Sequence, residues 1–197
     1  MSELHRIYIS CDYAHDGEYR DRFLEMDRYW RLFSSARMRD DTEIVSDPVR
    51  RTAMDDVRRD WIRDSTVLVL LCGRHTRYCP IVDREVASAM TNNYTYSRLG
   101  ILVIALPDSG NNECLCGEDS VLYDRYGRHD RPDTMYELSR LLPGVPMRII
   151  DSIRSDCPIS VVSWDHVVKD HDRLVELIDR AHRRRSTNRY DNSCQLR

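Results

Sequence analysis

One carboxylate stands out by position. Glu85 lies in PIVDREVASAM (residues 80–90), where Val82, Val86, Ala89 and Met90 form an apolar stripe at helical spacing. Glu85 borders that stripe, beside Ile81 and Ser88. A carboxylate so placed is either a solvated helix charge or the working group of a pocket, and residue type alone leaves both readings open. Other polar groups follow apolar runs: Ser10, Asp12 and Tyr13 after RIYISC, and Ser46 and Asp47 after DDTEIV. In open α/β sheets ligands bind at the carboxyl ends of the strands. If these runs are strands of one sheet, the hydroxyl, phenol and carboxylate groups gather at one edge.

The elements needed to position them are legible in the chain. Thr66 to Cys72 (TVLVLLC) and Gly100 to Leu106 (GILVIAL) are unbroken apolar runs of strand length, the pattern of central strands covered on both faces. Gly73 ends the first run, and Pro80 suits the first position of the helix that carries Glu85. Arg6 to Cys11 predicts the first strand, Asp40 to Ser46 a short edge strand, and Ile159 to Val162 the last. Between the first two, Tyr19, Phe23, Met26, Trp30 and Phe33 recur at helical spacing and predict a buried aromatic row. Met54, Val57 and Trp61 mark a second helix, opened by the capping-box variant Thr52 to Asp55. A last helix carries Val167 to Ala181.

Strand and helix thus alternate, which predicts a parallel sheet with helices on both faces in a five-stranded flavodoxin-like arrangement. The pattern breaks down from 107 to 146, read as an insertion with one short helix around Met135 to Leu142. The expected organisation is a single domain over 1–185 and a flexible tail over 186–197.

Composition narrows the function. At 197 residues, 41% apolar and 32% charged, the chain reads as one globular domain. No run is long enough to span a membrane, and MSELHRIYIS is not a secretory signal, so a cytoplasmic location is expected. A net charge of −3 gives no electrostatic reason to expect nucleic acid. Seven cysteines without an export signal are expected as reduced thiols, with Cys11 and Cys72 in the core. Cys114-Leu115-Cys116 with His129 lacks zinc spacing and a second cysteine pair, so no metal site is expected. His15, His75, His129 and His166 read as solvated loop residues.

Several α/β chemistries are excluded by motif. There is no G-x-G-x-x-G after the first strand, no phosphate-binding G-x-x-x-x-G-K-[ST] loop and no G-x-S-x-G elbow. A phosphate-accepting receiver would need Asp and Lys where Gly73 and Ser163 stand.

The residues left at the carboxyl edge bring a family into view. IYIS near the N-terminus, DSTVLVLLCGRHT, IVDREVASAM with its helix glutamate, and GILVIALPD are similar to Toll/interleukin-1 receptor (TIR) domains. The chain more closely resembles the TIR-like proteins of bacterial Thoeris antiphage systems, to which RIIDSI and SWDHVVKDHDRLVELIDRA also correspond. The resemblance implies a TIR-like three-layer sandwich and an NAD+-cleaving enzyme with NAD+ as substrate and no cofactor.

On that resemblance Glu85 is catalytic, while Ser10, Asp12, Tyr13, Asp47 and Ile81 bind substrate. Family members often carry tryptophan where Ile81 stands, so an apolar wall is kept and an aromatic surface lost. The implied product is a cyclic ADP-ribose-type signal acting on a partner effector, with self-association and a phage protein as trigger. The alternative is a non-catalytic TIR-like module that only pairs with other proteins.

Overall fold

Each central strand alternates side chains between two helical layers, and that alternation builds two separate cores. The computed structural model describes residues 4–35, 62–92, 97–110, 134–155 and 157–191. Strands β1 (Arg6–Ser10), β2 (Ser34–Ser35), β3 (Val67–Cys72), β4 (Gly100–Ala105) and β5 (Ser160–Ser163) form one sheet, all parallel, in the order 2-1-3-4-5. That order is the flavodoxin-like one expected. The described helices are α1 (Tyr13–Trp30), α2 (Pro80–Met90), α3 (Met135–Leu141), α4 (Met147–Arg154), α5 (Trp164–Lys169) and α6 (His171–Arg184).

Tyr8, Leu68, Leu70, Cys72, Ile101, Val103 and Val161 turn towards Val82, Val86 and Ala89 of α2, Leu138 of α3 and Ile149 and Ile150 of α4. Ile7, Ile9, Val67, Val69, Leu71, Leu102, Ile104 and Val162 face the other way, onto Phe23 of α1 and Trp164, Leu174 and Ile178 of α5 and α6. Every residue of β3 and β4 is buried, as their unbroken apolar runs require.

The structure departs from expectation in several places. The edge strand is Ser34–Ser35, pairing with Arg6 and Ile7, whereas the predicted strand at 40–46 and the predicted helix around Met54 to Trp61 fall outside the described residues. The aromatic row is only partly core. Helix α1 stops at Trp30 because Arg31 takes a left-handed conformation (φ 50°) and donates its N–H to the Asp27 carbonyl. Trp30 is thereby left 62% exposed against the His171 ring, while Phe23 and Phe33 stack inside. His15 and His166 lie in α1 and α5 rather than in loops.

The short helix in the insertion is α3, closed by a capping box between Thr134 and Glu137. Its neighbour α4 was not anticipated: Pro146 at its N-cap reads as a turn, and only eight residues follow. The predicted last helix is two, divided at Asp170, whose side chain accepts from the Arg173 N–H and so starts α6 afresh.

At Gly100 the sheet and α6 meet without side-chain spacing. A Cβ there would lie 2.2 Å from the Ala181 carbonyl oxygen. Gly100→Ala is therefore expected to destabilise the fold by about 1–3 kcal/mol, the usual cost of overpacking, measured by urea denaturation.

Candidate functional site

Tyr8 and Ser10 are two apart on β1, so both side chains leave the same face of the sheet, the face that α2 covers. Glu85 is mid-helix on α2, directly above them. The Tyr8 hydroxyl donates to Glu85 Oε1 at 2.7 Å and the Ser10 hydroxyl to Oε2 at 2.6 Å. All three residues are buried, and Glu85 is 1% exposed. The distances are those of charge-assisted bonds. Removing a carboxylate from water is costly unless donors replace the lost hydration, and these two hydroxyls do so.

The helix bearing Glu85 is held on a second side. Arg148 of α4, itself 2% exposed, donates through Nε and Nη2 to the two oxygens of Asp83 at 3.1 and 3.3 Å. Arg77, in the single 3-10 turn Thr76–Tyr78 before α2, donates through Nε to the Val145 carbonyl. Helix α4 thus braces the glutamate's helix directly, and the segment before it holds the turn that leads into that helix.

A second buried carboxylate lies at the carboxyl edge and was not anticipated. Asp16, in the first turn of α1, is fully buried beneath the β3–α2 loop. Its Oδ2 accepts from the Thr76 hydroxyl at 3.0 Å, and that hydroxyl in turn accepts from the Gly73 N–H at 2.8 Å. Its Oδ1 has no hydrogen-bond partner among the described residues. Burial pushes the Asp16 carboxyl up to about 6, with Asp108 and Asp12 adding to the rise against the Thr76 and Gly73 hydrogen bonds. Gly73 leaves the room this carboxylate occupies, because a Cβ there would lie 2.2 Å from Oδ1 and force the side chain to shift.

The remaining predicted residues divide. Ser10 is joined to Glu85 directly. Asp12 is the N-cap residue of α1, and its Oδ2 pairs with His15 Nδ1 at 2.9 Å. His15 in turn stacks on His75, both exposed at this edge. Tyr13 is 38% exposed beneath the Arg20 guanidinium. Ile81 is half-buried in the first turn of α2. Asp47 lies outside the described residues, as do Cys114, Cys116 and His129.

Tyr8 was missed because its ring suits a strand core. Its two-residue spacing from Ser10 was the available signal. Burial raises the thiols of Cys72, Cys79 and Cys157, the last to about 11, which disfavours a thiolate at each of them. Asp12 and Glu85 lie close enough to Cys79 to raise it further.

A family model described as "Thoeris protein ThsB, TIR-like domain" matches residues 8–111, more than half of the chain. The chain belongs to that family. The matched segment runs from Tyr8 past the end of β4 and holds Ser10, Asp16 and Glu85. Family membership places the chain among the TIR-like proteins of antiphage defence. No curated protein and no solved structure gives a significant match. Among the described residues, no helix is long and apolar enough to cross a membrane.

Asp16 yields a pH-dependent prediction. Its folded-state value lies above the ordinary 3.8, so the folded state holds a proton that the unfolded chain has lost, and stability falls as pH rises from 3.8 towards 6. Asp16→Asn removes that dependence. The variant's advantage over the parent should grow across that interval and level off above it, at on the order of 3 kcal/mol, by urea denaturation at a series of pH values.

Proposed function

We propose that the chain is an NAD+-cleaving enzyme of antiphage defence in which Glu85 is the catalytic carboxylate. One observation carries the reading: a glutamate at the predicted helix position is held with both oxygens fixed by hydroxyls from the strand beneath. The C1′–N1 bond of the nicotinamide ribose breaks with its electron pair going to the ring nitrogen. The pyridinium departs as neutral nicotinamide, and no general acid is needed. Positive charge then develops on C1′ and the ring oxygen of the sugar, as in glycoside hydrolysis. A preorganised carboxylate is suited to stabilise such charge.

In this conformation neither oxygen of Glu85 meets solvent, so the sugar must displace a hydroxyl partner. Ser10 is the natural one to yield. It ends β1, and a ribose hydroxyl can replace its donor in kind. Tyr8 stays and keeps the carboxylate oriented. Exclusion of water favours attack on C1′ by another group of the same molecule over hydrolysis, giving a cyclic ADP-ribose-type product. Attack by water would give ADP-ribose and a proton. The product would act on a partner effector as a diffusible signal, and a phage component with self-association would switch the enzyme on. The cytosol, where NAD+ is abundant, is the matching compartment.

A second reading draws on the same burial. A glutamate satisfied on both oxygens could serve only to pin α2 to β1, in a non-catalytic module that pairs with other proteins. Substitution separates the two. Glu85→Gln preserves size and should lower nicotinamide release about 100- to 1000-fold in phage-infected cells, followed by chromatography of cell extracts. Parental turnover in that variant would eliminate the catalytic reading.

Tyr8→Phe should retain NAD+ binding while lowering the turnover number about tenfold or more, since it removes a donor from the reacting group's partner. Equal loss of binding and turnover would contradict the orienting role given to Tyr8.

A further inference from the structure

Three potential metal ligands meet at the opposite end of the sheet from Glu85. His5 immediately precedes β1, and Asp179 and His182 lie three residues apart on one face of α6. The His5 and His182 rings approach to 4.2 Å between centroids at an interplanar angle of 32°. His5 Nε2 lies 3.2 Å from Asp179 Oδ1. Each residue offers one donor atom, and the three atoms lie within 4.8 Å of one another, all on half-buried residues. Arg183 holds the other Asp179 oxygen, Oδ2, at 2.8 Å and so fixes the direction in which Oδ1 points.

We propose that His5, Asp179 and His182 bind a divalent first-row transition-metal ion, with Zn2+ the best match. Two imidazole nitrogens and one carboxylate oxygen form a borderline donor set, suited to Zn2+, Co2+ or Ni2+ and poorly suited to Mg2+ or Ca2+. With bonds of about 2.0–2.1 Å, donor atoms around tetrahedral zinc stand roughly 3.3 Å apart, so the His5–Asp179 spacing already fits. The His182 donor lies within 4.8 Å of both, a short ring movement from the same spacing.

The backbone beneath is prepared for this. Gly100 lets α6 settle directly onto β4 at Ala181 and His182, which fixes the helix turn that presents His182. Three protein ligands leave a fourth position for water. The bound ion would staple the start of β1, the strand bearing Tyr8 and Ser10, to α6. Sequence could not show the site, because 174 residues separate His5 from Asp179. The proposal replaces the expectation that no metal is bound, and it stands whether or not the chain cleaves NAD+.

The test uses the full chain, stripped with chelator and titrated with Zn2+ by calorimetry, with Co2+ as a spectroscopic probe. One ion per chain is expected, and Zn2+ should raise the melting temperature by several degrees. His5→Gln, Asp179→Asn and His182→Gln should each weaken binding by about tenfold or more and abolish the thermal shift. Melting of the metal-free variants reports separately on folding. The Co2+ complex should show ligand-field bands without thiolate charge transfer, which separates this site from the cysteines. Absence of binding by the parent, unchanged affinity in the variants, or thiolate charge transfer would each overturn the proposal.

Discussion

The structure is organised by the cost of taking a carboxylate out of water. Glu85 is buried against the sheet, where Tyr8 and Ser10 project from the same face of β1 and reach its two oxygens. The requirement runs both ways, since the three buried polar side chains satisfy one another, and loss of any one leaves a buried partner short of a hydrogen bond. The strand must therefore keep its register and the helix its rotation. Asp83 with Arg148 and Arg77 with the Val145 carbonyl hold that rotation from the far side. Segments distant in sequence thus converge on the placement of one side chain.

Asp16 makes an instructive contrast. It is as deeply buried as Glu85, yet one of its oxygens has no hydrogen-bond partner among the described residues and acidic groups stand nearby. One carboxylate is stabilised by donors and the other is strained by its surroundings. Both lie in the segment matched by the family model, at the edge where an α/β sheet receives ligands.

Much of this was legible in the sequence, for identifiable physical reasons. Strands β3 and β4 announced themselves because a strand covered on both faces has no polar positions to spare. The helix of Glu85 was visible from its stripe and from Pro80. Ser10 was found because it closes a β-rich run. What escaped depended on tertiary contact. Tyr8 is indistinguishable from a core residue until its hydroxyl is seen to have a partner. The early end of α1 turns on one left-handed residue, Arg31, of a type that gives no warning. Asp16 looks like any acid in a first helical turn until the β3–α2 loop closes over it. Helix α4, short and preceded by Pro-Gly-Val-Pro, is held chiefly by burial of Ile149, Ile150 and Ile153 and by the Arg148 pair.

The segment shared with the family stops at residue 111, just beyond β4, but the folded unit does not. Strand β5 pairs along β4, while α3 and α4 close one core and α5 and α6 the other. Cut away, those parts would leave an open sheet edge and two apolar faces wetted at once. The matched portion and the portion that completes it therefore stand or fall as one folded object, because the later half roofs the earlier one.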